Sequence, residues 1–190
     1  MSRINLMPGD VKASADPEVV LSTLLGSCVA ACLYDPVAGV FGMNHFLLAS
    51  QGRAQAGVTS ETGRYGVHAM ELLINALLKR GAERCRLQAK VFGGANVLTA
   101  SGPGHYAVGE TNAHFVQAFL ENEGIPLIAS DLGGYHGRQI HFHGNSFAVY
   151  VKLLKGTQER EVAADEAKYL GKKLSEQKQV DKGSVTFFDD

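Results

Sequence analysis

The sequence predicts an α+β fold, a layered sandwich of mixed β-sheets flanked by helices. Strand-like and helix-like segments alternate through the first half of the chain. Two longer segments carry apolar stripes at helical spacing, while the strand-like runs are short and aliphatic. Gly occurs 22 times, which suits the many tight turns of such a succession. With 190 residues, 45% of them hydrophobic, the chain can bury one sizeable core.

The elements follow in order. Asp10 to Ser14 and Val19 to Leu25 read as strands separated by the turn former Asp16-Pro17. Cys28 to Tyr34 is small and apolar throughout, and Asp35-Pro36 stops it. Its length suits a buried strand or a short helix, and periodicity does not choose between them. Val40 to Leu48 reads as the next strand, and Ser50 to Gly63 as a long polar loop. Tyr65 to Arg80 is the clearest helix, with Val67, Met70, Ile74, Leu77 and Leu78 on one side and Gly81 as its stop.

Leu87 to Phe92 is a strand that runs into Gly93-Gly94-Ala95-Asn96. Thr111 to Glu123 reads as a second helix, with Thr111 or Asn112 as cap, a face of Phe115, Val116, Phe119 and Leu120, and Gly124 at its end. Pro126 to Ser130, Gln139 to His143 and Phe147 to Leu154 are three more strands. After Lys155 the composition turns charged. Glu159 to Leu174 is helix-compatible, with Ala163, Ala167, Leu170 and Leu174 on one side. The expected organisation is therefore one domain over 1–155 with an appended helix and loose tail over 156–190.

Bulk properties exclude several classes. Lys and Arg number 18 against 19 Asp and Glu, a formal net charge of −1, so there is no basic excess of the kind nucleic-acid binders show. No run approaches the roughly 20 apolar residues of a membrane span, and direct membrane insertion is not expected. The N-terminus lacks the apolar stretch of a secretory signal. Three Cys make no disulfide framework and fit a reducing compartment, so a cytoplasmic location is expected.

Chemistry concentrates at Leu25-Gly26-Ser27-Cys28-Val29. A strand meets Gly-Ser and then a Cys, where backbone N–H groups near Gly26, Ser27 and Cys28 could bind an oxyanion. A thiol needs a base, and His45 lies on the next strand-like segment, close enough in sequence to be a neighbour in space. A buried free Cys more often serves as a small hydrophobe, so residue type and spacing leave both readings open. Cys32 and Cys85 read as packing or surface thiols, and no metal is expected. His141 and His143 share one strand face, yet a hydrogen-bonded or solvent-facing role suits them and His136 better than metal ligation. Gly93-Gly94 lacks the pattern of a phosphate loop and reads as an active-site wall where substrate meets backbone. Asn44 is expected to face away from His45.

Several ordered motifs resemble one family, the CheD chemoreceptor glutamine deamidases. They are Leu25-Gly26-Ser27-Cys28-Val29, Tyr34-Asp35-Pro36, Met43-Asn44-His45-Phe46-Leu47-Leu48, Gly63-Arg64-Tyr65, Lys90-Val91-Phe92-Gly93-Gly94-Ala95-Asn96, Asp131-Leu132-Gly133-Gly134, Gly137-Arg138 and Ile140-His141-Phe142. The resemblance spans about residues 8–153 and departs from the family at Gly109-Glu110-Thr111-Asn112, where an Arg is absent. It implies a fold like the catalytic domain of cytotoxic necrotizing factor toxins. It also implies a cofactor-free cysteine hydrolase that converts glutamines of methyl-accepting chemotaxis receptors to glutamates through a thioester. By the same resemblance Cys28 is the nucleophile, His45 its partner and Ser22 the third, hydroxyl member. Thr23 is adjacent, and strand alternation allows only one of the two to face the His. Gly26, Ser27, Gly93 and Gly94 are expected to serve the oxyanion and substrate. A CheC-type phosphatase is a possible partner by resemblance, and a binding module that acts without catalysis is the rival reading. Transglutaminase-like acyl transfer is a third.

Overall fold

The computed structural model describes residues 2–48, 61–97 and 106–180. In chain order the elements are β1 (Ser2–Asn5), β2 (Val11–Ser14), β3 (Val19–Leu25), β4 (Val29–Asp35), β5 (Val40–Asn44), α1 (Glu61–Leu78), β6 (Gln88–Gly93), α2 (Tyr106–Asn122), β7 (Leu127–Leu132), β8 (Arg138–His143), β9 (Val149–Leu153) and α3 (Thr157–Val180). They form a four-stranded sheet ordered β1-β3-β8-β9 and a five-stranded sheet ordered β2-β5-β4-β6-β7. Each sheet is mixed: β1 runs parallel to β3 and β7 to β6, and the other pairs are antiparallel.

The α+β class with mixed sheets and flanking helices is thus what the molecule has. Its layers follow from the faces that each element buries. Helices α1 and α2 pack on one face of the five-stranded sheet, and the four-stranded sheet packs on the other. Strand β4 lies between both layers. Val29, Ala31 and Leu33 face the helices, while Ala30, Cys32 and Tyr34 face the second sheet. Every residue of β4 is buried. That explains why its sequence carries no alternation: a strand covered on both sides is apolar throughout. Fully buried Leu33, Phe41 and Met43 each stabilise the fold by about 1.5–3 kcal/mol relative to exposure.

The expected helical stripes hold where packing is tight. Met70, Ile74 and Leu77 of α1 are buried, and so are Phe115, Val116, Phe119 and Leu120 of α2. Gly81, with φ +98°, follows α1 as expected. Three boundaries differ. Strand β1 is not legible in its sequence, which is mostly exposed and has no pattern of its own. Much of the expected loop over 50–63 lies outside the described residues, and its last residues, from Glu61, belong to α1. Helix α2 starts at Tyr106, so Thr111 and Asn112 are not its cap but lie within it. In α3 the inward side is also turned from the expected one: Val162, Glu166 and Leu170 are buried, while Ala167 is exposed.

The turn between β4 and β5 is anchored by Asp35, whose side chain has no exposed surface. It accepts from the backbone N–H of Val37 and Ala38 at 2.9 and 3.0 Å and from that of Glu83 at 2.9 Å. Arg86 Nε also donates to it, at 3.0 Å to Oδ2. Burial alone would raise the carboxyl pKa. The Arg86 guanidinium and the three N–H groups outweigh burial and hold it well below the ordinary carboxylate range. Asp35→Ala removes the buried acceptor of three backbone N–H groups and of Arg86, and is expected to cost about 3 kcal/mol in urea unfolding. Because the folded pKa is depressed, the wild-type advantage is complete above the unfolded carboxyl value of about 4 and shrinks as pH falls below it. A variant as stable as wild type at neutral pH would contradict this anchoring role.

Candidate active site

Strand alternation decides which side chains meet. In β3, Leu21, Thr23 and Leu25 point between the sheets, and Ser22 points out beside His141, its partner residue in β8. At the end of β5, Asn44 turns to the helix layer, where its side-chain nitrogen donates to Ala69 O at 3.1 Å. The next residue, His45, therefore faces between the sheets, with its Nδ1 2.8 Å from Thr23 Oγ1. Cys28, in the short link between β3 and β4, belongs to the same inter-sheet core. Its sulfur, a His45 ring nitrogen and a Glu166 carboxylate oxygen lie within 4.8 Å of one another.

The hydroxyl paired with His45 is thus Thr23, and the expectation for Ser22 is corrected. Ser22 Oγ donates to Ile140 O at 3.1 Å and lies 2.9 Å from His141 Nδ1, on the opposite face of the strand. The single hydroxyl hydrogen of Thr23 goes to Leu6 O at 2.8 Å. Thr23 Oγ1 must then accept from His45 Nδ1–H. That tautomer leaves the other ring nitrogen, Nε2, as a lone-pair acceptor. Nε2 is buried and has no hydrogen-bond partner among the described residues.

The turn at Gly26-Ser27-Cys28 converges its N–H groups on one point. Gly26 N and Cys28 N donate to Glu166 Oε1 at 2.8 and 3.1 Å, while Ser27 N and Ser27 Oγ donate to Oε2 at 2.6 and 2.7 Å. The arrangement is an anion hole with a carboxylate inside it. A Cβ on Gly26 would lie 2.7 Å from Glu166 Oε2, so only glycine lets the carboxylate come this close. The turn is held from beneath by Asn112 of α2, which donates to Ser27 O at 2.8 Å and accepts from Leu48 N at 2.8 Å.

The sequence reading made Gly93 and Gly94 a substrate wall; the structure instead places both against the Cys28 backbone carbonyl. Gly94 N donates to Cys28 O at 2.7 Å. A Cβ on Gly93, whose φ is +111°, would stand 2.1 Å from the same oxygen. Their service is to let β6 approach the Cys28 backbone. Nor is the site floor open to solvent: Cys28 is 0% exposed, and His45 and Glu166 are each 2%. A cavity of about 230 Å³ adjoins it, lined by Leu6, Thr23, His45, Val162 and Glu166 among others.

Burial sets the electrostatics. It raises the Cys28 thiol pKa well above the ordinary range, and the charge and hydrogen bonding of Glu166 raise it further, against the opposing backbone N–H of Cys28. Burial likewise pushes His45 down to about 4, although the charges of Glu166 and Asp10 and the backbone at Leu6 oppose it. Both groups are therefore neutral at physiological pH in this arrangement. Cys28, His45 and Glu166 lie close enough together to ligate a metal. The four lone-pair positions of the Glu166 carboxylate, however, already accept four hydrogen bonds, which suits an anion among donors rather than a metal ligand.

Sequence reasoning misses Asn112 and Glu166. Each carries the same signal, a polar side chain on an otherwise apolar helical stripe: Asn112 beside Phe115 and Val116, and Glu166 between Val162 and Leu170. Among the other histidines, His136 Nδ1 lies 3.1 Å from Glu159 Oε1, and His143 packs edge-on against Tyr150. Among the described residues no helix is long and apolar enough to cross a membrane.

Comparison with known proteins agrees with the motifs. A family model described as CheD chemotactic sensory transduction matches residues 47–153. A protein of Agrobacterium fabrum named probable chemoreceptor glutamine deamidase CheD is 50% identical over 166 residues, covering 87% of this chain and 88% of that protein. A Shewanella oneidensis protein named probable chemoreceptor glutamine deamidase CheD 2 is 49% identical over 166 residues, covering 85% and 82%. The solved structure of the Bacillus licheniformis hypothetical protein YfiH aligns with a TM-score of 0.40 at 15% identity, over 64% of this chain and 50% of that one. This chain thus spans about half the length of that solved structure. The chain belongs to the CheD family.

The three thiols should differ in reactivity. Cys85 is exposed, whereas Cys28 and Cys32 are buried. Native protein treated with iodoacetamide near neutral pH should carry the label on Cys85 alone, and the two buried thiols should follow only on unfolding. Prompt labelling of Cys28 in the native protein would contradict the closed site.

Proposed function

We propose that the chain hydrolyses the side-chain amide of selected glutamines on chemotaxis receptors, with Cys28 as nucleophile, His45 as general base and acid, and Thr23 as the group that orients the imidazole. The reading is supported by one arrangement above all. A thiol, an imidazole with a free Nε2 and three converging N–H groups surround a single glutamate-shaped carboxylate. Glutamate is the product of glutamine deamidation. The names of the two relatives supply the receptor as substrate.

The chemistry follows from these positions. His45 Nε2 takes the Cys28 proton as the sulfur attacks the amide carbon. The carbonyl oxygen becomes an oxyanion and is held by the N–H groups of Gly26, Ser27 and Cys28. His45 returns the proton to the departing ammonia, which leaves a thioester. The same nitrogen then removes a proton from water as it attacks, the carbon–sulfur bond breaks, and His45 returns that proton to the departing sulfur, which leaves glutamate and free thiol. Throughout, Thr23 accepts from Nδ1–H and keeps the ring turned toward the sulfur, the part that a buried carboxylate plays in other triads. Hydrolysis needs no redox or metal step, so no cofactor enters this reading.

Two substitution sets test it, with ammonia release and a gain of about 1 Da at glutamine in a receptor cytoplasmic fragment as the readouts. Cys28→Ala should abolish both without unfolding the protein. Thr23→Val should lower kcat about 10- to 100-fold by freeing the imidazole, while Ser22→Ala stays within about twofold. If Cys28→Ala retains activity, the nucleophile is wrong. If Ser22→Ala proves the damaging change and Thr23→Val the harmless one, the positioning role returns to Ser22.

A further inference from the structure

We infer that α3 is a built-in inhibitor of this site, with Glu166 docked as an internal copy of the product glutamate, so that the helix must lift before a substrate helix can enter. The inference rests on the proposed deamidase reading and adds its regulation. It also adds the form in which the site takes its substrate, a side chain presented from one face of a helix.

Three observations carry it. Among the described residues, the buried ones of α3 are Val162, Glu166 and Leu170, one per turn. The middle position of such a stripe calls for a hydrophobe, and here it is a carboxylate. Its partners are the N–H groups of Gly26, Ser27 and Cys28 and the Ser27 hydroxyl. No Lys or Arg among the described residues pairs with it. Donors alone stabilise the buried charge, as they would stabilise an oxyanion in the reaction. Finally, the carboxylate lies against the sulfur and the imidazole and covers them. A carboxylate also fits better than an amide would. Both of its oxygens accept, matching the four donors, whereas an amide has one accepting oxygen.

Around this point the helix is fastened by a few side-chain contacts: Tyr169 reaches Tyr65, with their hydroxyls 3.2 Å apart, Lys173 lies over the Tyr65 ring, Tyr169 and Leu174 pack on the core, and Glu159 accepts from Gly137 N at 3.3 Å, while much of the outer surface of α3 is exposed. Locally opened states are drawn from elements held by few buried contacts. A receptor helix that presents glutamine competes for the hole that Glu166 fills.

The test uses full-length protein with three readouts. Glu166→Ala removes the plug. Labelling of Cys28 by iodoacetamide should rise at least about tenfold over wild type, and deamidation of a receptor cytoplasmic fragment should rise by a similar factor. Glu166→Gln keeps the shape and offers the enzyme its own substrate. Cys28 attacks the carbon of the introduced amide, ammonia leaves with a proton from His45, and water cleaves the thioester. The side chain at position 166 should then gain about 1 Da. In the Cys28→Ala, Glu166→Gln double variant it should stay an amide.

The outcomes separate the two ideas. Unchanged Cys28 labelling in a folded Glu166→Ala protein overturns the inhibitor. So does a Glu166→Gln protein whose introduced amide stays intact while the receptor fragment is deamidated, since the helix is then a cover that does not mimic the product. Faster labelling with no deamidation of either the fragment or the introduced amide overturns the deamidase reading, and with it the product mimicry.

Discussion

The pleat of the strands, with side chains alternating strictly between two faces, is the constraint on which the site depends. A shift of one residue in β3 would send Thr23 out to solvent and bring Ser22 against His45. Along β5 the same alternation gives Asn44 to the helix layer and His45 to the space between the sheets. The register is not free to slip. Leu21 and Leu25 on β3 and Phe41 and Met43 on β5 are fully buried in the inter-sheet core, and a slip would turn these large side chains out of it. Hydrophobic burial thus helps to hold Thr23 and His45 in position.

A second layer of support comes from backbone groups. The Gly26-Ser27-Cys28 turn is gripped from several sides: Asn112 holds the Ser27 carbonyl, Gly94 N the Cys28 carbonyl, and Ala95 N the Gly26 carbonyl. With the carbonyls occupied on that side, the N–H groups of the three residues point the other way and converge. An anion hole assembled in advance has no reorganisation cost when charge arrives. Glycine is required at Gly93 for this grip, since any side chain would collide with the oxygen being approached.

The closed site also shows how burial keeps a neighbouring thiol and imidazole neutral. Away from water neither a thiolate nor an imidazolium is favoured, and a carboxylate beside the sulfur adds repulsion to the thiolate. Four donors surround the Glu166 carboxylate in turn. Low-dielectric surroundings strengthen such donors toward any anion they hold.

Much of this was written in the chain. Apolar stripes at helical spacing gave the core faces of α1 and α2, and the ordered motifs paired Cys28 with His45, two side chains that the fold brings near each other. Helix extents were less legible. The start of α2 at Tyr106 follows no cap signal, and β1 is ordered only by pairing with β3. By itself the sequence determined which chemical groups are present and which stripes seek burial, because those depend on residue type and local period. Only the tertiary structure decided that Thr23 and not Ser22 meets the imidazole, that Gly93 and Gly94 stand against the Cys28 carbonyl, and that Glu166, far along the chain, fills the hole. These are matters of which face of one element meets which face of another, and no local pattern records a contact made across 138 residues.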